Sequence, residues 1–147
     1  MPADLALVRE LAAAEHGLAT LATTRPDGTV HASVVNAGVL DDPVSGRPSV
    51  AAVLVGGARK RELLRRSGHA TFVFRRGWRW VSVQGPARLI GPDDECESFP
   101  AERLPQLLRD IFTAAGGTHD DWAEYDRVMA AERRTALFVE AARITGR

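Results

Sequence analysis

Arg59, Lys60 and Arg61 stand in a row directly after Gly56-Gly57-Ala58, and the chain then reads as a short helix, ELLRRS. Cations in a first helical turn oppose the positive end of the helix dipole, at a cost of about 0.3–1 kcal/mol each unless something answers the charge. Glu62 answers only part of it. Gly56 and Gly57 leave the preceding backbone bare, so its N–H groups can approach a ligand closely. Helix starts of this kind take phosphate or carboxylate. Lys60 is also the single lysine among 19 basic residues. The expectation is an anion site; the plain alternative is a solvated basic helix, since charge runs usually face water.

Other candidates for chemistry are sparse. His16, His31, His69 and His119 are scattered, without metal-ligand spacing, so each reads as a surface or packing histidine and no metal site is expected. No G-x-S-x-G occurs, and no acid, base or nucleophile can be named. Trp78 and Trp80 lie two apart on one strand face. They are core aromatics or, in the sharper reading, a wall beside a flat heteroaromatic ligand. Trp122 and Tyr125 read as helix or dimer packing. Cys96 is alone, which excludes an intramolecular disulfide and a thiolate cluster.

The elements that must position these residues follow from periodicity. Asp4 caps a first helix with Leu5, Val8 and Leu11 at helical spacing, ended by Gly17. Strands 18–24 and 29–40 form a hairpin through Arg25-Pro26-Asp27-Gly28, with His31, Ser33 and Val35 on one face. LDDPVSGRP (40–48) reads as an extended, exposed loop. A strand over 49–55 leads into the basic helix. Strand 70–74 then turns through Arg75-Arg76-Gly77 into a long strand from Trp78, bent at Gly85-Pro86. An amphipathic helix over 101–115, a second helix capped by Asp120 or Asp121, and a last strand over 135–144 complete the chain. Six short strands, mostly hairpin-linked, predict a β-dominated α+β fold: a six-stranded antiparallel split barrel with peripheral helices, as one domain over 1–147. No βαβ alternation and no G-x-G-x-x-G are present.

Composition narrows the class. The chain of 147 residues is 45% hydrophobic and 26% charged, with zero net charge. That balance argues against a general nucleic-acid or membrane binder. Residues 59–79 hold eight Arg/Lys and one Glu, whereas 93–126 hold ten Asp/Glu. Opposite patches fit a homodimer or a polyanionic small ligand. With no leader and no span-length apolar run, a cytoplasmic location is expected.

Three stretches then carry a resemblance. Ala58-Arg59-Lys60-Arg61-Glu62-Leu63, Ala70-Thr71-Phe72-Val73-Phe74 and Arg79-Trp80-Val81-Ser82-Val83-Gln84-Gly85 resemble the phosphate-binding and flavin-wall region of the pyridoxamine 5′-phosphate oxidase-like split-barrel flavoproteins. LATLATTRPDGTVHASVV is similar to that family's first hairpin. DDWAEYDRVMAAERRTALFVEAARITG resembles the actinobacterial flavin/deazaflavin oxidoreductases that use coenzyme F-420. The resemblance implies that Arg59 and Lys60 hold a cofactor phosphate. It also implies that Val53, Leu54, Trp78 and Trp80 meet the ring, and that His31 and Ser33 approach the cofactor. Ala58 stands where many members have Ser, and Ser33 where the pyridoxamine phosphate oxidases have Arg.

The implied protein is a homodimer with cofactor sites at its interface. In it, reduced F-420 delivers a hydride to an unsaturated or conjugated small molecule. The alternatives are an FMN-dependent oxidase or reductase of the same fold, or a non-enzymatic carrier or sensor of flavin or F-420. F-420 carries a phosphate and a polyglutamate tail. Arg61 and Arg65, on one helix face, with Arg66, Arg75, Arg76 and Arg79 nearby, would offer that tail a cationic track.

Overall fold

In the computed structural model, which describes residues 4–147, the chain opens with α1 (Leu5–Ala14). Asp4 caps it as expected, its carboxylate accepting from Leu7 N at 3.0 Å. The chain reverses at Gly17, whose φ of +74° and whose distance of 2.3 Å between a would-be β-carbon and Ala115 O both demand glycine. β1 (Leu18–Thr24) and β2 (Val30–Val39) form the predicted hairpin, with Leu21 opposite Ser33. Its turn is fixed by Asp27, whose carboxylate accepts from Thr29 N at 3.0 Å.

The loop over 40–48 is exposed at most positions, as expected, but it is not a loose excursion. It is anchored, because Asp42 is buried and accepts from Val44 N, Ser45 N and Arg88 Nε. Burial alone would raise the Asp42 carboxyl, but the Arg88 guanidinium and the two N–H groups outweigh it and hold it below the ordinary range. β3 (Ser49–Leu54) follows, then α2 (Arg59–Ser67), which ends at Gly68 in the left-handed conformation. β4 (His69–Arg76) and β5 (Arg79–Ile90) pair around Gly77-Trp78.

β5 bends where Gly85-Pro86 predicts. Its first half pairs with β4, and Ala87–Ile90 pair with β6 (Thr135–Glu140). At Gly85 a β-carbon would lie 2.0 Å from Glu140 O, so only glycine lets the two backbones cross. The stretch expected as one last strand is two: β6, and β7 (Arg143–Gly146), which continues past β6 along the same edge of β5, opposite β4, and pairs with Val81–Gln84. The sheet order β4-β1-β2-β3-β6-β5 closes through β4–β5 into a six-stranded antiparallel barrel, with β7 outside the ring.

Apolar side chains fill two regions. Leu21, Phe72, Phe74, Val83 and Leu137 occupy the barrel interior, plugged by Val8 and Leu11 of α1 and Leu64 of α2. Ala51 and Phe138 point outward from β3 and β6 beneath α3 (Leu104–Ala114) and α4 (Trp122–Ala131). Both strands are therefore buried on two faces, which explains their nearly unbroken apolar sequences. One 3-10 turn, Ala101–Arg103, precedes α3, and Asp121 caps α4 through Glu124 N at 3.1 Å. Among the described residues, no helix is long and apolar enough to cross a membrane.

Candidate functional site

The first turn of α2 divides its three cations. Ala58 is the N-cap and offers no side-chain hydrogen bond. Arg59 is exposed. Lys60 is half-buried and its Nζ donates to Ser33 Oγ on β2 at 3.1 Å. Burial holds its ammonium below the ordinary lysine value. Among the described residues no carboxylate pairs with it.

Arg61 turns the other way, about 100° round the helix, into the fold. Its Nη1 donates to Thr135 Oγ1 at 3.1 Å and its Nη2 reaches Asp93 Oδ2 at 3.5 Å, while its Nε is buried without a partner. Arg65 is fixed to Asp94 by bonds of 2.5 and 2.8 Å, and Arg79 pairs with Glu10. Asp93, held below the ordinary carboxylate range chiefly by Arg133, serves both Arg133 and Arg61. Of the cations expected to form a track, Arg61, Arg65 and Arg79 are thus already paired with this chain's own carboxylates, whereas among the described residues no carboxylate pairs with Arg66, Arg75 or Arg76.

Lys60 faces a cleft of about 380 Å³, within the range of small-molecule sites. Its origin lies in the strand register. β2 and β3 pair over Ala37–Val39 and Val50–Ala52, Leu40 N donates to Ser49 O at the loop end, and past Ala37 and Ala52 in the other direction the strands separate. Val34 and Asn36 line one side of the split, and Val53, Leu54 and Val55 the other. Ile111 and Phe112 of α3 and Tyr125 and Met129 of α4 close the back. The unpaired edges of β2 and β3 leave backbone N–H and C=O groups toward the split, a hydrogen-bonding rim for a polar-edged planar ring.

The expected site residues therefore divide. Lys60, Val53 and Leu54 line the cleft, and Ser33 stands behind Lys60. His31 lies further along β2, with its Nδ1 3.4 Å from Arg25 Nη2 and its backbone opposite Thr23. Trp78 and Trp80 are not core: Trp78 is 95% exposed at the tip of the β4–β5 hairpin, and Trp80 is 37% exposed. Ser33, Leu21, Phe72 and Val83 form one row across the wall, so Trp80's strand is three spacings away, roughly 14 Å of arc. No single chain brings these tryptophans to Lys60.

Sequence reading missed Arg134, Phe112, Tyr125 and Met129 as cleft residues. The apolar ones looked like ordinary helix packing. Arg134 follows α4 after Arg133, which takes a φ of +50°, and no turn signal announces that reversal.

No family model matches the sequence. Solved structures with the same architecture do. A conserved hypothetical protein of Mycobacterium tuberculosis superposes with a TM-score of 0.68 at 20% identity, over 96% of this chain and 82% of its own. A pyridoxamine 5′-phosphate oxidase-related, FMN-binding protein from Nostoc punctiforme gives 0.63 at 12% identity, over 95% and 78%. An F-420 reductase gives 0.60 at 13% identity, over 93% and 94%. The fold is the pyridoxamine 5′-phosphate oxidase-like split barrel. In these terms the β2–β3 separation is the split, and α3 and α4 are the helical cover over it.

Proposed function

We propose that this chain is an oxidoreductase using a flavin-type cofactor, with the deazaflavin F-420 as the first candidate and FMN as the second. One observation carries this: Lys60, the single lysine, has no carboxylate partner among the described residues, stands at an uncapped helix start and lines the split cleft. The residues suit such a group. Lys60 and exposed Arg59 would hold its phosphate at the α2 N-terminus, Val53 and Leu54 would flank the ring, and Ser33 orients the lysine. When bound, the cofactor supplies the hydride chemistry; the chain anchors, orients and shields from water. The names of two structural neighbours, an F-420 reductase and an FMN-binding protein, favour the same ligand class.

A homodimer belongs to this proposal. Leu18, Val34 and Trp80 expose apolar surface outward from β1, β2 and β5, and Thr20 and Val73 join Val34 to Ser82 in one cross-strand row. Val34, 66% exposed, also lines the cleft. A second copy on this face would border the site and could bring its tryptophan-bearing hairpin there.

The test is fluorescence titration with F-420 and FMN, beside the absorption spectrum of whatever copurifies and sedimentation at micromolar concentration. Tight binding by a dimer is expected. Failure of both cofactors to bind would overturn the cofactor reading, and a monomer would overturn the interfacial one.

A further inference from the structure

The cleft holds two cations, and only Lys60 has a role so far. Arg134 sits between α4 and β6, a quarter exposed, where the cleft meets the groove over Gly56-Gly57. Glu132 Oε1 accepts from its Nε at 2.8 Å and lies 2.7 Å from its Nη2. That clamp occupies one edge of the guanidinium and leaves Nη1 for another acceptor. The nearby cleft wall is apolar, from Val53, Val55, Phe112 and Met129, and among the described residues no carboxylate lines the cleft. The Tyr125 hydroxyl is committed, since it donates to Leu108 O at 3.0 Å.

A charged donor at an apolar wall selects its acceptor strongly, because the bond is charge-assisted and water competes poorly. Glu132 adds a condition. It cancels most of Arg134's long-range charge and would repel a dianion, so a single monoanionic oxygen fits better than a phosphate. The apolar surroundings disfavour further charge on the rest of that ligand, and a hydride acceptor under the cofactor reading is conjugated and therefore flat. Resting on the cofactor reading above, we propose that Arg134 is the specificity residue for the acceptor substrate, binding the carboxylate of a planar, conjugated carboxylic acid.

Carboxylates also occur in the F-420 tail, so the test separates the two sources. Wild type, Arg134→Gln, Arg134→Lys and Lys60→Ala, each with an unchanged melting midpoint, are titrated with trans-cinnamate and its neutral amide, without cofactor. Wild type should prefer cinnamate about tenfold, Arg134→Gln should lose the preference, Arg134→Lys should keep part of it and Lys60→Ala should retain it. F-420 and FMN affinities of Arg134→Gln should stay within about twofold of wild type. No preference in wild type, or a preference lost in Lys60→Ala but kept in Arg134→Gln, would overturn the proposal. So would an Arg134→Gln variant that loses F-420 affinity and keeps FMN affinity, since the carboxylate would then be the tail's. If neither cofactor binds wild type but the cinnamate preference depends on Arg134, the cofactor reading falls and the carboxylate subsite stands.

Discussion

Lys60 and Arg61 are neighbours in one helical turn, yet they belong to different regions of the molecule. Arg61 is built into the fold, with Thr135 and Asp93 as partners and hardly any exposed surface. Lys60 faces a cleft, touches a serine hydroxyl and has no opposing charge paired with it among the described residues. The difference teaches that a basic run is not one feature. A helical step of about 100° is enough to make one cation a structural tie and the next a free charge awaiting a partner.

The comparison breaks most sharply through stability. Arg61→Ala should cost about 2–3 kcal/mol, because Thr135 Oγ1 loses its buried partner and a packed side chain leaves a void. Urea denaturation measures this, and a loss under about 0.5 kcal/mol would make Arg61 a surface cation after all. Lys60→Ala should do the reverse, weakening F-420 or FMN at least about tenfold while the unfolding free energy stays level or rises slightly. Equal effects of the two substitutions on either quantity would erase the distinction.

A smaller effect sharpens the same contrast. Ala58→Ser should supply the missing N-cap and add about 0.5–1 kcal/mol, read as a shift in urea midpoint at constant slope. No gain would mean that the first-turn N–H groups are already satisfied. The smallest effect is in pH. Burial holds the Lys60 ammonium below its ordinary value, so in the window between the two values the unfolded chain binds more protons than the folded one. Wild-type stability should therefore rise slightly with pH across that window relative to Lys60→Met, and affinity for the anionic cofactor should fall. A flat difference between the two proteins would contradict the depressed ammonium.

Much of the barrel was legible because it rests on local chemistry. Asp4, Pro26-Asp27-Gly28 and Gly85-Pro86 each declare a cap, turn or bend, and each stands where the sequence places it. The candidate site was legible only in part, because its residues come from separate layers. Lys60 with Val53 and Leu54 could be read from one contiguous stretch. Arg134, Phe112 and Met129 could not, since their place at the cleft depends on how α3 and α4 lie across the split. Nor could periodicity reveal that Asp93, Asp94 and Glu10 had claimed Arg61, Arg65 and Arg79. Trp78 failed for a related reason: alternation assigns a face, but not where a strand stops and its turn begins.

The position of β6 in the ring has a consequence for how the protein is made. Its partners are β3, over pairs such as Ser49 with Glu140, and the second half of β5. Until Thr135–Glu140 has left the ribosome, two apolar strands have bare edges and the ring stays open. Such late, distant pairing slows folding and exposes the nascent chain to association with its neighbours. α3 and α4, synthesised just before β6, already carry the apolar stripes that cover β3. They are placed to shelter that strand during the wait.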